Sequence, residues 1–370
     1  MNSTVWWLLA AAEVVALVVV TPRLFRSARG GRRLVAVDDD RTRLAAPTSL
    51  EEIPRISVVV PARNEAARIA ECLEPLRDAP GVLELIVVDD ESTDHTATIA
   101  REHGARVVAG APLPVGWVGK IWALQQGIAA ASGDVVVTLD ADTRPDRQLP
   151  LSAANALLDG GSVLATVAPR FRLPSQTGTW LHAAMLTSLV YRHGAGAGRA
   201  ASDAVANGQC MVFRRDDAVR GQWCNEVRGS TVEDVALVRA LVRRGQSVEM
   251  FDGSSLLAVR MFEGVADTWR GWGRSIALTG SDSHPRQAFD LATTLIAVVT
   301  PPFLVAFGVT TPATIALLLI RIGVLVGTAR AYERRRLGYW LSPFADLFAW
   351  LAVVRGSATK QHRWRGRTYG

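Results

Sequence analysis

The sequence predicts an α/β domain built on a mainly parallel sheet, held between membrane-spanning helices at the N-terminal and C-terminal ends. Short β-branched runs alternate with amphipathic helical stretches across residues 54–262, the pattern of a parallel sheet covered on both faces. Long apolar runs gather instead at the two ends of the 370-residue chain. Composition excludes other classes: with 49% hydrophobic and 21% charged residues the chain is too apolar to be disordered. Its three cysteines, Cys72, Cys210 and Cys224, lack CxxC or Cys/His spacing, so neither a disulfide framework nor a structural zinc site is expected. The net charge of +6 concentrates beside the apolar runs, which makes anionic lipid headgroups, and not nucleic acid, the expected partner. No internal repeat or low-complexity tract points to a protein partner.

From the N-terminus, residues 1–22 read as an anchor. Residues 5–20 (VWWLLAAAEVVALVVV), with Thr4 and Thr21, cross a thin bilayer at about 1.5 Å per residue. The charges follow the run and no small-residue cleavage site appears, which favours an uncleaved anchor over a signal peptide. Glu13 is costly in hydrocarbon, so it is expected to be protonated, paired within a helix bundle, or placed at a shallower depth. Arg23, Arg26, Arg29, Arg32 and Arg33 open a basic linker, 23–53, and place that side in the cytoplasm with the N-terminus outside.

Beyond the central domain, 263–288 reads as an amphipathic, interfacial segment and 289–330 as a transmembrane hairpin. Its apolar runs, 291–307 and 312–329, are joined by 308–311 and return to the cytoplasm at Arg330, Arg334, Arg335 and Arg336. Arg321, inside the second run, is expected to snorkel or to face a protein neighbour. The closing segment, 331–370, holds an apolar stretch at 340–354 and a basic tail. A span there would leave Arg355, Lys360, Arg363, Arg365 and Arg367 outside, so an interfacial or re-entrant helix is expected.

Within the domain, 56–60 (ISVVV) and 83–88 (LELIVV) read as buried strands around a helix over 65–77. A helix over 93–102, a strand at 106–108, a helix over 121–131 and a strand over 134–139 follow. Ligands in such sheets bind beyond the carboxyl ends of the strands. Those ends carry PARNE at 61–65, DDESTD at 89–94 and DAD at 140–142. Singly, Asn64 or Thr93 serves as a helix cap and Asp94 as a first-turn acid. Together, Asp140 and Asp142 flank one residue and can present oxygen to one hard cation, as a Mg²⁺ or Mn²⁺ bridging a diphosphate requires.

PARNE at 61–65, VVDDESTD at 87–94, GK at 119–120, DAD at 140–142 and ED at 233–234 resemble, in order and spacing over about 200 residues, a family 2 glycosyltransferase of the Rossmann-like GT-A fold. PLPVGWVGKIWALQQG at 112–127, GQCMVFRR at 208–215 and the closing WRGRTY resemble more narrowly the membrane-bound glycosyltransferases of hopanoid and carotenoid pathways. The resemblance implies a nucleotide-diphosphate sugar donor, a divalent metal and inversion at the anomeric carbon. It implies that Pro61, Glu65, Asp89 and Asp90 line the nucleoside pocket, that Lys120 faces the diphosphate, and that Asp140 and Asp142 hold Mg²⁺ or Mn²⁺.

Asp234 stands where the family places its general base, with Glu233 supporting its orientation; a helix-capping role is the structural alternative. Gly208, Gln209 and Cys210 match the acceptor-side strand, Cys210 as a packing residue and not a nucleophile. Processive members carry QxxRW after the ED element, where this chain has DTWRGWGRS at 267–275, so transfer of one sugar is expected. Arg270 and Arg274 are candidates for donor phosphate, and Trp269 and Trp272 for the interface, with Trp272 on the acceptor side. The expected reaction moves a hexose, UDP-linked in the first instance, to an isoprenoid membrane lipid. Transfer to a polyprenyl phosphate and a non-catalytic nucleotide-sugar-binding protein are the alternatives.

Overall fold

The β-branched runs form the centre of a sheet whose two faces are separated by the alternation of side chains along each strand. The computed structural model describes residues 3–29, 31–37, 53–194, 201, 203–278, 281–358, 362–364 and 367–369. The strands that frame the site are β1 (Arg32–Arg33), β2 (Ile56–Ala62), β3 (Val82–Asp89), β4 (Arg106–Ala109), β5 (Val135–Leu139), β6 (Thr143–Pro145), β7 (Leu164–Ala168), β8 (Cys210–Arg214), β9 (Val248–Asp252) and β10 (Leu257–Arg260). Eight of them make one sheet in the order β1-β9-β7-β8-β5-β2-β3-β4, and β6 and β10 pair antiparallel outside it. Val58 faces Leu85 on one side and Val137 on the other in parallel register. One strand, β8, runs antiparallel between β5 and β7, with Cys210 beside Leu139 and Met211 beside Thr166. Its first residues therefore lie at the carboxyl end of β5.

Val58, Val60 and Val87 point to one face, where Ile69, Leu73, Leu149 and Leu157 cover them. Val59, Ile86 and Val88 point to the other, under Ile121, Leu124, Leu237 and Leu241. Each such buried side chain is worth about 1.5–3 kcal/mol. The helices involved are α2 (Ile69–Leu73), α3 (Thr96–Glu102), α4 (Gly119–Ala130), α5 (Leu149–Gly160) and α7 (Glu233–Arg243), with α6 (Gln176–His193) preceding α7 in the chain. Gly127 lets α4 approach the sheet, since a Cβ there would meet Val59 Cγ1 at 2.3 Å.

Two helices are shorter than their sequence periods. The expected helix over 65–77 is α2 followed by a 3₁₀ turn, Glu74–Leu76, because residues 64–66 bond to the loop after β3 instead. The helix expected from Thr93 begins at Thr96, where the Asp94 carboxylate accepts the Thr96 N–H at 3.0 Å.

The chain divides into two compact units, and the domain expected over 54–262 is interrupted. One unit comprises Arg32–Arg170, Gly196–Arg260 and Gln361–Gly370; the other comprises Met1–Gly31, Phe171–Ala195 and Met261–Lys360. The basic segment is not wholly a linker, because Arg32 and Arg33 pair with Phe251 and Asp252 at the sheet edge. Gly30 and residues 38–52 of it lie outside the described residues, as do Lys360 and two positions of the WRGRTY motif, Arg365 and Gly366.

The second unit holds α1 (Ser3–Arg29), α6, α8 (Val265–Ser275), α9 (His284–Thr294), α10 (Pro312–Thr328) and α11 (Asp346–Ala358). Among the described residues three helical stretches are long and apolar enough to cross a membrane: Trp7–Phe25, His284–Ala306 and Pro312–Ala331. Glu13 is fully buried and paired: its Oε2 accepts from the Thr314 hydroxyl at 2.7 Å and the Thr311 hydroxyl at 3.1 Å. Arg23, expected at headgroups, is buried 2.9 Å from Asp290 and donates to the Tyr191 carbonyl, so its charge is spent inside the helix bundle. Arg321 is likewise buried, with Nε 2.8 Å from Asp346 Oδ2. Trp272, expected at an interface, is also buried, its ring stacked 3.6 Å from that of His182. Apolar surface on both rings is removed from water by that stacking. Residues 340–354 do not form one span: Leu337–Trp340, a 3₁₀ turn over Ser342–Ala345 and α11 succeed one another, with Pro343 in the turn.

Candidate active site

Because β2, β3 and β5 are parallel, the polar residues that follow them emerge on one rim, and β8 and the N-terminus of α7 complete it. Two of the three loops are locked together. The Asn64 side chain accepts from the Thr93 N–H at 2.8 Å, the Asn64 N–H donates to the Ser92 hydroxyl, and the Ala66 N–H donates to Asp94. Burial pushes the Asp94 carboxyl up, but hydrogen bonds from Thr96 and Ala66 outweigh it and hold Asp94 below the usual carboxylate range. Asn64 and Glu91 take left-handed backbone (φ +52° and +54°), an uncommon conformation that the surrounding bonds maintain.

Pro61 and Glu65 are buried at this end of the sheet, Glu65 with its N–H donating to Thr96 Oγ1 at 2.8 Å. Asp90 is 1% exposed, its N–H donating to the Ala62 carbonyl, with Arg63 3.7 Å from its carboxylate. Asp89 accepts the Ser92 N–H. The Asn64 and Asp94 contributions were not assigned from sequence; their signal, two short polar residues in facing loops, is the one that also marks ordinary helix caps.

The third cluster is the charged centre. Lys120, at the first turn of α4, lies 2.8 Å from Asp140 and 2.8 Å from Glu233. Burial works against its charge, yet these two carboxylates hold the ammonium well above its ordinary pKa. Burial pushes Asp140 up to about 6, Lys120 opposing and Asp142 adding to the shift. Asp234 is likewise pushed up to about 6 by burial and by Glu233, against the pull of Lys120 and the bonds it accepts. Its Oδ2 accepts the Gly208 N–H at 2.7 Å and its Oδ1 the Val235 N–H at 2.8 Å. A Cβ on Gly208 would lie 3.0 Å from Asp234 Oδ2, so only glycine permits this approach without displacement.

Asn207 sets the turn before β8 by accepting the Gln209 N–H at its side chain while its backbone bonds Thr166. The Asn-Gly pair at 207–208 is the turn signal by which it was recognisable. The Cys210 side chain is fully buried in the core, and burial pushes its thiol up.

The structure thus joins Lys120, Asp140, Glu233, Asp234 and Gly208 through direct contacts. Asp142 follows at the same strand end, with Oδ1 buried and lacking a hydrogen-bond partner. No group of three His, Cys, Asp or Glu side chains forms a metal cage among the described residues. A two-carboxylate site of this kind fits Mg²⁺ or Mn²⁺, which keep only one or two protein carboxylates when phosphate oxygens complete the shell. Arg270 and Trp272 belong to α8 in the other unit, Arg270 exposed; the Arg274 side chain lies outside the described residues.

Residues 57–220 match the family model described as glycosyl transferase family 2. The chain is similar to the 4,4'-diaponeurosporenoate glycosyltransferase of Staphylococcus haemolyticus (strain JCSC1435), 28% identical over 247 residues; the match covers 64% of this chain and 64% of that relative's length. It is 26% identical over 266 residues to the protein of the same description from Staphylococcus aureus (strain MRSA252), covering 66% of this chain and 67% of that one. In fold it resembles a mannosyltransferase from Pyrobaculum calidifontis solved with GDP-Man and Mn²⁺, with a TM-score of 0.53 at 18% identity over 96% of this chain and 98% of that one.

Proposed function

We propose, from a chain whose residues 57–220 match the glycosyl transferase family 2 model, an inverting, metal-dependent enzyme that transfers one hexose from a nucleotide-diphosphate donor, UDP-linked in the first instance, to an isoprenoid membrane lipid. The observation that carries it is the convergence of Asp140, Asp142, Lys120 and the Glu233/Asp234 pair on one rim of the sheet. The carotenoid-type relatives support the acceptor class. The apolar helices support a membrane site, with the catalytic domain cytoplasmic on the positive-inside argument.

Pro61, Glu65, Asp89 and Asp90 bind the nucleoside. Asp140 and Asp142 hold the divalent cation, which when bound stabilises charge on the departing nucleotide diphosphate. Lys120 lends an ammonium to the same phosphate oxygens. The acceptor oxygen attacks the anomeric carbon as the bond to the diphosphate breaks, and Asp234 takes the proton of a hydroxyl acceptor. With a pKa of about 6, that carboxylate is mostly ionised at neutral pH and still a useful base. Gly208 and Gln209 flank the acceptor approach.

Calorimetric titration of the detergent-solubilised protein with UDP tests the donor half of this reading. Binding strengthened by Mn²⁺, and no longer strengthened in Asp142→Asn, is expected. UDP binding indifferent to Mn²⁺ in both proteins refutes the metal assignment.

A further inference from the structure

The membrane unit has internal depth markers that the apolar runs alone do not supply. Arg321 is the tenth of the 20 residues of the span Pro312–Ala331. At about 1.5 Å per residue it therefore lies roughly 14–15 Å from either end, near the middle of the hydrocarbon. Its guanidinium is committed to Asp346, Nε at 2.8 Å from one carboxylate oxygen and Nη2 at 3.0 Å from the other, with Ser342 Oγ at 3.4 Å. Residues 342–346 are thereby fixed at that depth. The chain enters this segment from Arg334, Arg335 and Arg336, a cationic cluster suited to headgroups.

It leaves in the same direction. Along α11 the Trp350 indole donates to the Leu291 carbonyl at 2.9 Å, and about two turns further along Ser357 Oγ accepts from Gln287 at 3.0 Å. Gln287 and Leu291 stand near the start of the span His284–Ala306, the end that the hairpin shares with Arg330. Entry, apex and exit are thus a basic cluster, mid-span, and the first turns of the neighbouring span.

The surface of this excursion is apolar and uncovered. Leu337, Trp340, Leu341, Phe344, Phe348 and Leu351 are 40–77% exposed. The span against which this segment packs, through Tyr339 and Asp346, is exposed as well, at Ile315, Leu319, Ile322 and Val326 (50–63%). An exposed apolar surface packed against a membrane-crossing helix has acyl chains as its natural neighbour. Opposite that face, close backbone contact holds α11 to α8: a Cβ on Gly356 would meet the Gly273 carbonyl oxygen at 2.5 Å.

We propose that residues 337–358 form a re-entrant hairpin in the cytoplasmic leaflet, pinned at mid-bilayer depth by the Arg321–Asp346 pair, with Phe344 and Phe348 facing acyl chains. This rests on the reading of 312–331 as a membrane span. A helix lying flat among headgroups would have its residues at a single shallow depth; here Phe344 is deep and Ser357 shallow.

The test attaches an environment-sensitive fluorophore to single cysteines, Phe344→Cys, Phe348→Cys, Leu319→Cys and Val115→Cys, in full-length protein with Cys72, Cys210 and Cys224 replaced by alanine. The protein is reconstituted with phospholipids brominated at mid-chain or spin-labelled at the headgroup, or exposed to aqueous iodide. Leu319 neighbours Arg321 and reports whether the span is in hydrocarbon; Val115 is fully exposed in the other unit. Mid-chain bromine is expected to quench positions 344, 348 and 319 alike and to spare 115. Quenching of 319 by mid-chain bromine, with 344 and 348 quenched only by the headgroup label or iodide, overturns the re-entrant hairpin and leaves the span intact. Failure of mid-chain bromine to quench 319 overturns the span and the proposal with it.

Discussion

Replacing Lys120 by methionine removes a positive charge from between two carboxylates while keeping most of the side-chain volume. Lys120 lies 2.8 Å from both Asp140 and Glu233, and its side chain is 16% exposed. Breaking a buried ion pair from one side typically costs about 3–5 kcal/mol, because the partner charge is left uncompensated. For a domain of roughly 200 residues, at about 2–4 °C per kcal/mol, the unfolding midpoint of Lys120→Met should fall by roughly 10 °C at neutral pH. The loss should depend on pH with a definite sign. Asp140 already has a folded pKa of about 6, above the usual carboxylate value, and losing Lys120 raises it further.

At about pH 5 Asp140 is largely protonated, so its share of the stranded charge is gone and the difference from the parent is smaller; above about pH 7 it reaches its full size. Asp140→Asn in the Lys120→Met background should recover part of the midpoint, and a double-mutant cycle gives the coupling. Thermal denaturation followed by intrinsic fluorescence, between about pH 5 and pH 8, measures all four proteins. A Lys120→Met midpoint within about 2 °C of the parent at neutral pH, or a loss that does not grow with pH, refutes the argument that Lys120 compensates these carboxylates.

Asp234→Asn preserves an acceptor for the Gly208 N–H but cannot take a proton, so turnover with a hydroxyl acceptor should drop about 10²–10⁴-fold with little change in midpoint. In the parent, the rate should rise with pH through about 6 and then level, as Asp234 ionises. Gly208→Ala, whose Cβ crowds Asp234 at 3.0 Å, should lower kcat by roughly tenfold or more with a smaller effect on donor KM, since misplacing a reacting group by a fraction of an ångström suffices. Arg321→Ala should lower the midpoint in detergent by an amount corresponding to about 3–5 kcal/mol, and Arg321→Ala/Asp346→Ala should be less damaged than Arg321→Ala alone.

The alternation of β-branched runs and helical periods made the sheet and its parallel core legible in the sequence, and with it the rim on which Asp89, Asp140 and Asp142 emerge. Strand direction was not legible: Cys210–Arg214 has the same buried composition whether parallel or antiparallel, and only its pairing brings Gly208 to Asp234. Helix starts at 65 and 93 were overestimated because Asn64 and Asp94 bond across loops, a tertiary preference that local periodicity does not register. The Lys120 bridge was hidden for the same reason: Lys120 and Glu233 are 113 positions apart, and their pairing depends on α4 and α7 covering one face. In the membrane unit, Glu13 and Arg321 announced themselves as costly, while their partners Thr314 and Asp346 sit within apolar stretches, 312–329 and 340–354, whose composition does not signal a pairing.

The most direct test is sugar transfer by the purified protein from a panel of UDP-, GDP- and dTDP-sugars to a host lipid extract, with Mn²⁺ or Mg²⁺, beside Asp142→Asn and Asp234→Asn. One metal-dependent, singly glycosylated isoprenoid lipid is expected, disappearing in Asp142→Asn and falling steeply in Asp234→Asn. Absence of transfer from every donor by folded protein, or a product that persists in Asp142→Asn, contradicts the proposed reaction.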